Sequence, residues 1–234
     1  MLPGLISFMD WIFPPTCVGC GKFGDVWCYE CDRSVEILSG SICTKCGYPI
    51  QIGENCAECM RHPCSSTQQR AYSRYHKGIK QVVHHLKFEN GIELGYHFRN
   101  ILADIVTKEG WDVDAVVPVP QSSKRRKERG YNQAAILAWP LSQTLGIAYK
   151  PESLERVAEN TTQVNQDAAG RLSNVIGSFS ANENQIKGRS ILIIDDVITT
   201  GSTMNECARV CFNSGAKNVF SLALARSILG DIVA

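Results

Sequence analysis

Two adjacent acids and the small residues that follow them form the stretch with the clearest chemical potential. Asp195 and Asp196 offer paired carboxylates. The residues that follow closely are Thr199, Thr200, Gly201, Ser202 and Thr203. Hydroxyls and backbone N–H groups at the start of a helix suit a phosphate, because a helix N-terminus carries unpaired donors and a positive dipole end. Carboxylates beside such a cradle suit sugar hydroxyls, so the stretch is predicted to bind a phosphorylated sugar.

Eight of the eleven cysteines form a second candidate site, made of four Cys-x-x-Cys pairs. The pairs are Cys17 and Cys20, Cys28 and Cys31, Cys43 and Cys46, and Cys56 and Cys59. Each pair can place two thiolates on one tetrahedral ion, so the pattern predicts two structural zinc sites. A sequential arrangement, first pair with second and third with fourth, is favoured over a cross-brace of first with third and second with fourth. Disulfides would need an oxidising compartment, and a redox pair would not recur four times.

The elements around the two acids are predicted to belong to a parallel α/β sheet. The apolar run Ile191–Ile194 indicates a strand buried on both faces, which places the acids at its carboxyl end, where open α/β sheets bind ligands. A helix is expected from about Ser202, with Cys207 and Cys211 on its apolar face as core residues. The run 219–225 indicates a further strand.

A strongly basic segment follows another predicted strand at 114–120. Five of the six residues at 124–129 are Lys or Arg. We interpret the segment as a loop that leads into a helix, and we expect Pro140 to kink or end that helix early. Cations and backbone N–H groups suit a pyrophosphate. The basic residues predicted to face it are Lys124, Arg125 and Arg129.

Composition and charge bound the remaining possibilities. The chain has 234 residues, 44% hydrophobic and 20% charged, with a formal net charge of +1, which suits one core plus a small module. A polar run at 64–69 predicts a boundary between residues 1–66, with an amphipathic helix at 1–13, and residues 67–234. The first part has a net charge of −3, which disfavours phosphate binding by the cysteine module, and the second has +4. No apolar run is long enough for a membrane span, and a cytoplasmic location is expected.

Taken together, the motifs resemble the ComF family of competence-associated proteins, and the stretch 191–203 resembles the phosphoribosyl-pyrophosphate (PRPP) signature of type I phosphoribosyltransferases. The features that carry the likeness are the paired cysteines after Phe-Pro-Pro-x-Cys, Leu86-Lys87-Phe88, Val117–Pro120, Arg129–Gln133, Arg156, Gln163, Arg171, Asn174 and the PRPP stretch. The resemblance implies a double zinc ribbon joined to a type I phosphoribosyltransferase fold. It also implies a pyrophosphate-binding turn that includes Pro118, Val119, Pro120 and Gln121, and a mobile hood within 156–180. The implied role is in DNA uptake or use on the cytoplasmic side.

Two functions from different classes follow from these observations. The first is a phosphoribosyltransferase that binds Mg²⁺–PRPP, with Asp195 and Asp196 at the ribose hydroxyls. It transfers the phosphoribosyl group to a nitrogen nucleophile that the sequence does not identify, and pyrophosphate departs. The second is a non-catalytic protein that handles single-stranded DNA, or an adaptor for DNA-uptake and recombination proteins. It would use the PRPP site as a sensor or a phosphate-binding groove.

Overall fold

A five-stranded parallel sheet forms the centre of the computed structural model, which describes residues 14–51, 55–157 and 175–228. The described strands are β1 Gln68–Arg74, β2 Ala115–Pro118, β3 Ala148–Tyr149, β4 Leu154–Arg156, β5 Phe179–Ala181, β6 Ser190–Ile198 and β7 Asn218–Arg226. The sheet has the order β1-β7-β6-β2-β3, while β4 and β5 form a separate antiparallel pair. The predicted α/β class with a parallel sheet is therefore confirmed.

Helices cover both faces of the sheet. They are α1 Tyr29–Arg33, α2 Ala57–Arg61, α3 Lys77–Phe88, α4 Ile92–Lys108, α5 Ser123–Arg129, α6 Gln133–Leu145, α7 Glu183–Ile186 and α8 Ser202–Asn213, with a 3₁₀ turn at Pro151–Ser153. Leu192 and Ile194 of β6 pack with α3, α4 and α6, whereas Ile191 and Ile193 pack with α8. Side chains alternate across a strand, so a continuous apolar run is what a doubly covered strand requires.

The central strand β6 is longer than the sequence indicates. A strand that ends at Ile194 was the prediction, and it was wrong, because β6 continues to Ile198. The reason is its neighbour: β7 pairs with β6 as far as Ile198, whereas β2 pairs only as far as Ile194. Asp195 and Asp196 therefore lie within β6 but beyond the end of β2, beside a gap in the sheet.

The basic segment forms a helix, so the prediction of a loop there was wrong. The Ser122 side chain accepts a hydrogen bond from the backbone N–H of Arg125 at 3.3 Å, which caps the start of α5. Gly130, with φ of +78°, ends it in the left-handed conformation that glycine adopts easily. Between these caps, Lys, Arg and Glu are all good helix formers.

Pro140 does not end its helix early, since α6 continues to Leu145. Proline has no N–H to donate to the carbonyl of Ile136, four residues earlier. That carbonyl instead lies against Gly95 of α4, where a Cβ atom would come within 2.1 Å of the oxygen. The missing side chain of Gly95 lets α4 and α6 approach each other closely.

Both cysteine regions contact the sheet, but at different places. Trp27 belongs to the core on the α3 and α4 face and lies 6.1 Å from the ring of Phe98. The residues after α1 run beside β1, where Ile37 and Ser73 form an antiparallel bridge. In the second region, the carbonyl of Lys45 accepts a hydrogen bond from the N–H of Gln69 at 2.8 Å.

The polar run that predicts the domain boundary continues into the sheet, because β1 begins at Gln68. The division at 66 and 67 stays a prediction. The predicted helix at 1–13 lies outside the described residues. Across the ranges that are described, no helix has the length and apolar character needed to cross a membrane.

Candidate functional site

Asp195 and Asp196 face opposite sides of the sheet, as consecutive residues of a strand do. Asp196 is buried, and its Oδ2 lies 3.0 Å from Nζ of Lys87, at the end of α3. Asp195 is half-buried, and its Oδ1 accepts a hydrogen bond from the N–H of Asp196 at 2.9 Å. Burial, and next the charge of Asp196, raise the pKa of Asp195 well above its usual value, while Lys87 acts in the opposite direction.

The two carboxylates line a cavity of about 190 Å³ at the gap beyond β2. Its remaining walls are Lys87, Val119, Pro120, Gln121, Arg125, Arg129, Gln133, Arg156 and Thr203. Asp195 and Asp196 are the only acids among these lining residues, against four Lys or Arg side chains. An excess of positive charge around two acids suits a ligand that carries both phosphates and hydroxyls.

A hydrogen-bond network holds the wall of the cavity that follows β2. Nε2 of Gln121 donates to the Tyr131 carbonyl at 2.5 Å and to Oε1 of Gln133 at 2.8 Å. The same Gln133 oxygen accepts from Nη1 of Arg129 at 3.1 Å. Nδ2 of Asn132 donates to the carbonyl of Val119 at 3.0 Å, while its Oδ1 caps α6. The stretch 129–133 therefore fixes the turn at 119–121.

The small residues after β6 form a second, smaller cavity of about 30 Å³ that adjoins the first. It is lined by Asp195, Val197, Thr199, Thr200, Gly201, Ser202, Thr203 and Met204. Asp195 and Thr203 line both cavities. Gly201, with φ of +74°, precedes the first turn of α8, and Oγ of Thr200 and Ser202 lie 2.7 Å apart. A turn that leads into the N-terminus of a helix suits phosphate, because such a terminus offers backbone N–H donors.

The structure brings most of the predicted ligand-site residues to these two cavities. Pro118 and Lys124 line neither of them; Pro118 lines a neighbouring cavity of about 720 Å³, and Lys124 lies 4.0 Å from Glu128 on the exposed side of α5. Lys87 and Gln133 line the main cavity but were not predicted to contact ligand. Both lie in motifs that carry the family resemblance. Gln163, Arg171 and Asn174 lie outside the described residues.

The eight predicted cysteine ligands form two groups of four in the sequential arrangement. One group is Cys17, Cys20, Cys28 and Cys31, and the other is Cys43, Cys46, Cys56 and Cys59, with the sulfurs of each group within 4.8 Å of one another. The favoured sequential pairing is therefore confirmed.

The sulfur spacing fits zinc. Four pairs of Sγ atoms, two in each group, lie 3.5–3.8 Å apart. Zinc–sulfur bonds of about 2.3 Å in a tetrahedron separate the sulfurs by roughly 3.8 Å, whereas a disulfide needs about 2.05 Å. Backbone N–H groups also point at two of the ligands, with Cys28 N lying 3.4 Å from Sγ of Cys17 and Cys59 N lying 3.5 Å from Sγ of Cys56. Such donors stabilise thiolates.

Cys207 and Cys211 are buried on the apolar face of α8, where the sequence places them. Burial raises the pKa of Cys207 well above its usual value and that of Cys211 to about 12. Both thiols therefore stay protonated near neutral pH, as structural core cysteines do.

Comparison with protein families identifies the two parts of the chain. A double zinc ribbon domain matches residues 8–60, and a phosphoribosyl transferase domain matches residues 88–228. The second match covers more than half of the 234 residues, which makes the chain a double zinc ribbon protein with a phosphoribosyltransferase-fold domain. Within that class, the chain belongs to the ComF family of competence-associated proteins.

Relatives that match most of the chain support the family assignment. The chain is 31% identical over 207 residues to the DNA utilization protein YhgH of Salmonella typhi, covering 86% of this chain and 90% of the relative. It is 30% identical over 208 residues to the competence protein ComFC of Bacillus subtilis strain 168, with coverage of 86% and 84%. Competence protein F of Haemophilus influenzae is 29% identical, with coverage of 86% and 90%.

Solved structures similar to the chain include phosphoribosyltransferases at low identity. The glutamine PRPP amidotransferase of Bacillus subtilis superposes with a TM-score of 0.37 at 22% identity, over 54% of this chain and 26% of that one. An adenine phosphoribosyltransferase of Thermoanaerobacter pseudethanolicus gives a TM-score of 0.35 at 16% identity, over 56% and 78%.

Proposed function

We propose that this protein binds Mg²⁺–PRPP in the two adjoining cavities and acts in the uptake or use of DNA, the roles for which its relatives are named. One observation carries the first part of the proposal. Among the described residues that line the main cavity, Asp195 and Asp196 are the only acids and face four cations, and Asp195 and Thr203 also line the small cavity beside residues 199–203. PRPP has the matching order of groups, with a pyrophosphate at one end, hydroxyls in the middle and a phosphate at the other.

Each end of the ligand has its own set of donors in this proposal. The backbone N–H groups of residues 199–203 receive the 5′-phosphate at the start of α8. Arg125 and Arg129, together with the turn at 119–121, receive the pyrophosphate. Arg156 lines the same cavity from β4, and its guanidinium lies 5.3 Å from the ring centre of Phe179.

The two acids hold the ribose. Their carboxylates accept hydrogen bonds from its hydroxyls and stabilise positive charge that develops at the anomeric carbon when pyrophosphate departs. Carboxylate oxygens are also the ligands that Mg²⁺ prefers, so Asp195 and Asp196 fit that ion, which would supply further positive charge to the phosphates. Lys87 forms an ion pair with Asp196 at 3.0 Å and so fixes the position of that carboxylate.

The raised pKa of Asp195 also predicts how the ligand-free protein responds to pH. In a group whose pKa is higher in the folded state, the proton is bound more tightly on folding. The associated stability is present at low pH and is lost as pH rises from about 4 through the raised pKa. A Mg²⁺ ion held with the ligand would instead favour the ionised form of Asp195, because an adjacent positive charge lowers the pKa of a carboxyl group.

A double variant tests the proposal. Asp195→Asn with Asp196→Asn keeps size and hydrogen bonding but removes the charges, so the ligand-free protein should be at least as stable as wild type. Wild type should gain about 2.7 kcal/mol of unfolding free energy when Mg²⁺–PRPP is at a hundred times its dissociation constant. The double variant should lose most of that gain in a thermal-shift or calorimetric measurement.

The exposed Asp104 of α4 provides the matched control, because Asp104→Asn removes a carboxylate that lines neither cavity. That variant should keep the full gain. Equal stabilisation of the double variant and wild type by PRPP would reject the proposed site. A separate assay tests for catalysis: labelled PRPP is incubated with the protein and a metabolite extract as the source of acceptors. Release of pyrophosphate that depends on an acceptor would identify an enzyme.

The exposed face of α5 favours the second candidate function, the handling of single-stranded DNA. Residues 124–128 of this helix are all exposed and carry four cations. Phe88 is 60% exposed, and the guanidinium of Arg129 lies 5.0 Å from its ring centre. Cations beside an exposed aromatic ring are typical of surfaces that bind single strands through phosphates and stacked bases. The aromatic component comes from the distant end of α3, which explains why the basic segment alone gave no such signal.

Two variants separate the two ligands. Lys124 and Lys127 both change to Ala in the first, and Phe88→Ala is the second. If the surface binds single strands, both should weaken binding of a labelled oligonucleotide, and the lysine variant should reduce the slope of its salt dependence by about one unit per lost contact. PRPP-induced stabilisation should persist in both. Unchanged oligonucleotide affinity in both variants would reject the DNA surface.

A further inference from the structure

A buried arginine lies between the second cysteine group and the phosphate-binding loop, residues 199–203. Arg226 is the last residue of β7, and its side chain is only 2% exposed. Its Nη2 donates a hydrogen bond to Oε1 of Gln69, and its guanidinium lies 5.8 Å from the ring centre of Tyr48. Nothing in the roles assigned so far requires a cation at this position.

Among the described residues, no carboxylate forms an ion pair with Arg226. Every ion pair found in those ranges involves other groups, and the nearby Glu58 pairs with Arg61 at 3.3 Å. Nε of Arg226 is buried and has no hydrogen-bond partner in the same part of the chain. Burial lowers the pKa of Arg226, as expected for a cation withdrawn from water. A guanidinium this deeply buried needs a counter-charge.

The second cysteine group can supply that counter-charge. Tyr48, whose ring contacts the Arg226 guanidinium, lies two residues after Cys46, and its carbonyl accepts a hydrogen bond from the N–H of Cys43 at 2.8 Å. Cys46, Glu58, Cys64 and Cys56 all act on the pKa of Arg226 in the direction that favours its charged form. Four thiolates around one Zn²⁺ ion have a net formal charge of two minus. The sulfur spacing of this group fits zinc, so the loaded centre is an anion next to a buried cation.

The first cysteine group has no equivalent partner among the described residues. The two cations closest to it in sequence are both exposed: Lys22 lies 3.7 Å from Glu30, and the guanidinium of Arg33 lies 5.6 Å from the ring centre of Tyr29. Apart from Arg226, the only buried Lys or Arg among the described residues is Arg70, which forms an ion pair with Glu109 at 2.7 Å. The buried cation is therefore specific to the second centre.

Gln69 connects this buried charge pair to the phosphate-binding loop. Oε1 of Gln69, the acceptor of the Arg226 hydrogen bond, lies 3.7 Å from where a Cβ of Gly201 would stand. Nε2 of Gln69 lies 3.6 Å from Sδ of Met204 in the first turn of α8. The backbone adds a second connection, since Ser227 N donates to the carbonyl of Ile198 at 2.8 Å.

We propose that Arg226 is the counter-cation of the second zinc centre and that, through Gln69, this pair positions the phosphate-binding loop. Loading of the second centre with zinc and binding of phosphate by the loop are then thermodynamically linked. The linkage rests on the proposed function, whereas the counter-cation role does not. Arg226 is thus a positioning residue that touches neither the metal nor the ligand.

Zinc release from the intact protein tests the counter-cation. Full-length wild type, Arg226→Met and Arg226→Lys are mixed with a chromogenic chelator, and pulsed alkylation with mass spectrometry shows which cysteines lose their metal. Removal of an outer-shell partner typically costs 10-fold to 100-fold in metal affinity. Arg226→Met should therefore release zinc about tenfold faster from Cys43, Cys46, Cys56 and Cys59 alone. Arg226→Lys keeps the charge and should stay within about threefold of wild type.

Three outcomes would overturn the assignment: unchanged release, equal acceleration at both centres, or a lysine variant as labile as the methionine one. If Arg226→Met does not fold, the charge of the centre can be changed instead. Cys59→His keeps a zinc ligand but removes one negative charge. Arg226→Gln should then accelerate zinc release less in the Cys59→His background than in wild type, and an equal effect in both backgrounds would reject the counter-cation.

The linkage is tested in wild type with PRPP as the probe. Because coupling is reciprocal, saturating Mg²⁺–PRPP should slow zinc release from the second centre by about fivefold or more and leave the first unchanged. Arg226→Met should lose that selectivity. Bound PRPP that slows neither centre would reject the linkage. PRPP that does not stabilise wild type at all would reject the proposed function and the linkage with it, while zinc release without ligand still decides the role of Arg226.

Discussion

The two zinc ribbons have the same ligand pattern but are attached to the sheet in different ways. Cys17, Cys28 and Cys31 of the first ribbon lie in the same apolar cluster as Trp27 and the helices α3 and α4. The second ribbon instead contacts β1 through polar groups, where Nη1 of Arg70 donates to the carbonyl of Thr44 at 3.1 Å. The comparison teaches that a zinc-ligand motif predicts the metal site but not whether its surroundings belong to the core.

Equivalent glycines make the difference visible at single-residue level. Gly21 follows Cys20 and Gly47 follows Cys46, and both have a left-handed backbone, with φ of +75° and +69°. A Cβ on Gly21 would meet open space, whereas one on Gly47 would lie 2.6 Å from the carbonyl oxygen of Gln69. The turn after Cys20 in the first ribbon therefore faces open space at Gly21, whereas the turn after Cys46 in the second ribbon packs against β1 at Gly47.

Removal of one zinc ligand should give the largest difference between the ribbons. Metal binding contributes on the order of 10 kcal/mol in zinc modules, comparable with the stability of a whole domain. Cys31→Ser should therefore unfold α3 and α4 along with the first ribbon. The matched Cys59→Ser should lose one zinc and local structure but keep the sheet. Hydrogen exchange with mass spectrometry can compare them, and equal loss of protection in α3 and α4 would contradict the distinction.

Truncation of one aromatic residue in each ribbon should give the next largest effect. Trp27 is 4% exposed and its indole lies 2.9 Å from where a Cβ of Gly78 would stand, so Trp27→Ala leaves a cavity in the core. We expect a loss of about 3–5 kcal/mol in unfolding free energy. Tyr48 is only half-buried, and Tyr48→Ala should cost about 1 kcal/mol, mainly through its contact with Arg226. Urea titrations followed by circular dichroism would measure both, and a reversed order would refute this interpretation.

The equivalent glycines provide a smaller and more local test. Gly47→Ala combines backbone strain with a clash against β1, and should cost about 2–3 kcal/mol. Gly21→Ala has the strain alone and should cost about 1 kcal/mol. Since both changes add the same methyl group, the difference between them reports the contact with β1. Equal losses of unfolding free energy in chemical denaturation would show that the turn after Cys46 can move away from β1.

The smallest expected effect concerns Asn205, which ties the chain leaving the second ribbon to α8. Its Nδ2 donates to the carbonyl of Pro63 at 3.0 Å, and its Oδ1 accepts from the N–H of Ser65 at 3.0 Å. Asn205→Ala should cost about 1–2 kcal/mol for the two hydrogen bonds. Asn213→Ala, at the exposed end of the same helix, is the control and should be nearly neutral. If Asn205→Ala loses no more unfolding free energy than Asn213→Ala, these two hydrogen bonds do not contribute to stability.

Local signals made much of the fold predictable from the sequence. Continuous apolar runs indicated β6 and β7, because doubly covered strands have no polar face. The cysteine spacing gave both metal sites, and the start of α8 followed from the small residues before it. The helix α5 was missed because its caps, Ser122 and Gly130, flank a charge run that also suits a loop.

Contacts between distant segments could not be predicted in the same way. Lys87 lies on α3 and reaches Asp196 on β6 only because α3 packs on the face of the sheet to which Asp196 points. Neither residue carries a local signal for the other. The same holds for Arg226 at the end of β7 and Tyr48 of the second ribbon, which meet only because that ribbon packs beside the sheet.

The close approach of α4 and α6 constrains the order in which this chain can change. At Gly95 even one methyl group would overlap the carbonyl oxygen of Ile136. Pro140 is under no such restriction, since an alanine there would return an N–H to that carbonyl and fit an ordinary helix. Substitution of the proline can therefore come first in an evolutionary path, whereas substitution of the glycine requires the two helices to have separated already. The close packing of the two helices therefore restricts substitution at Gly95 but not at Pro140.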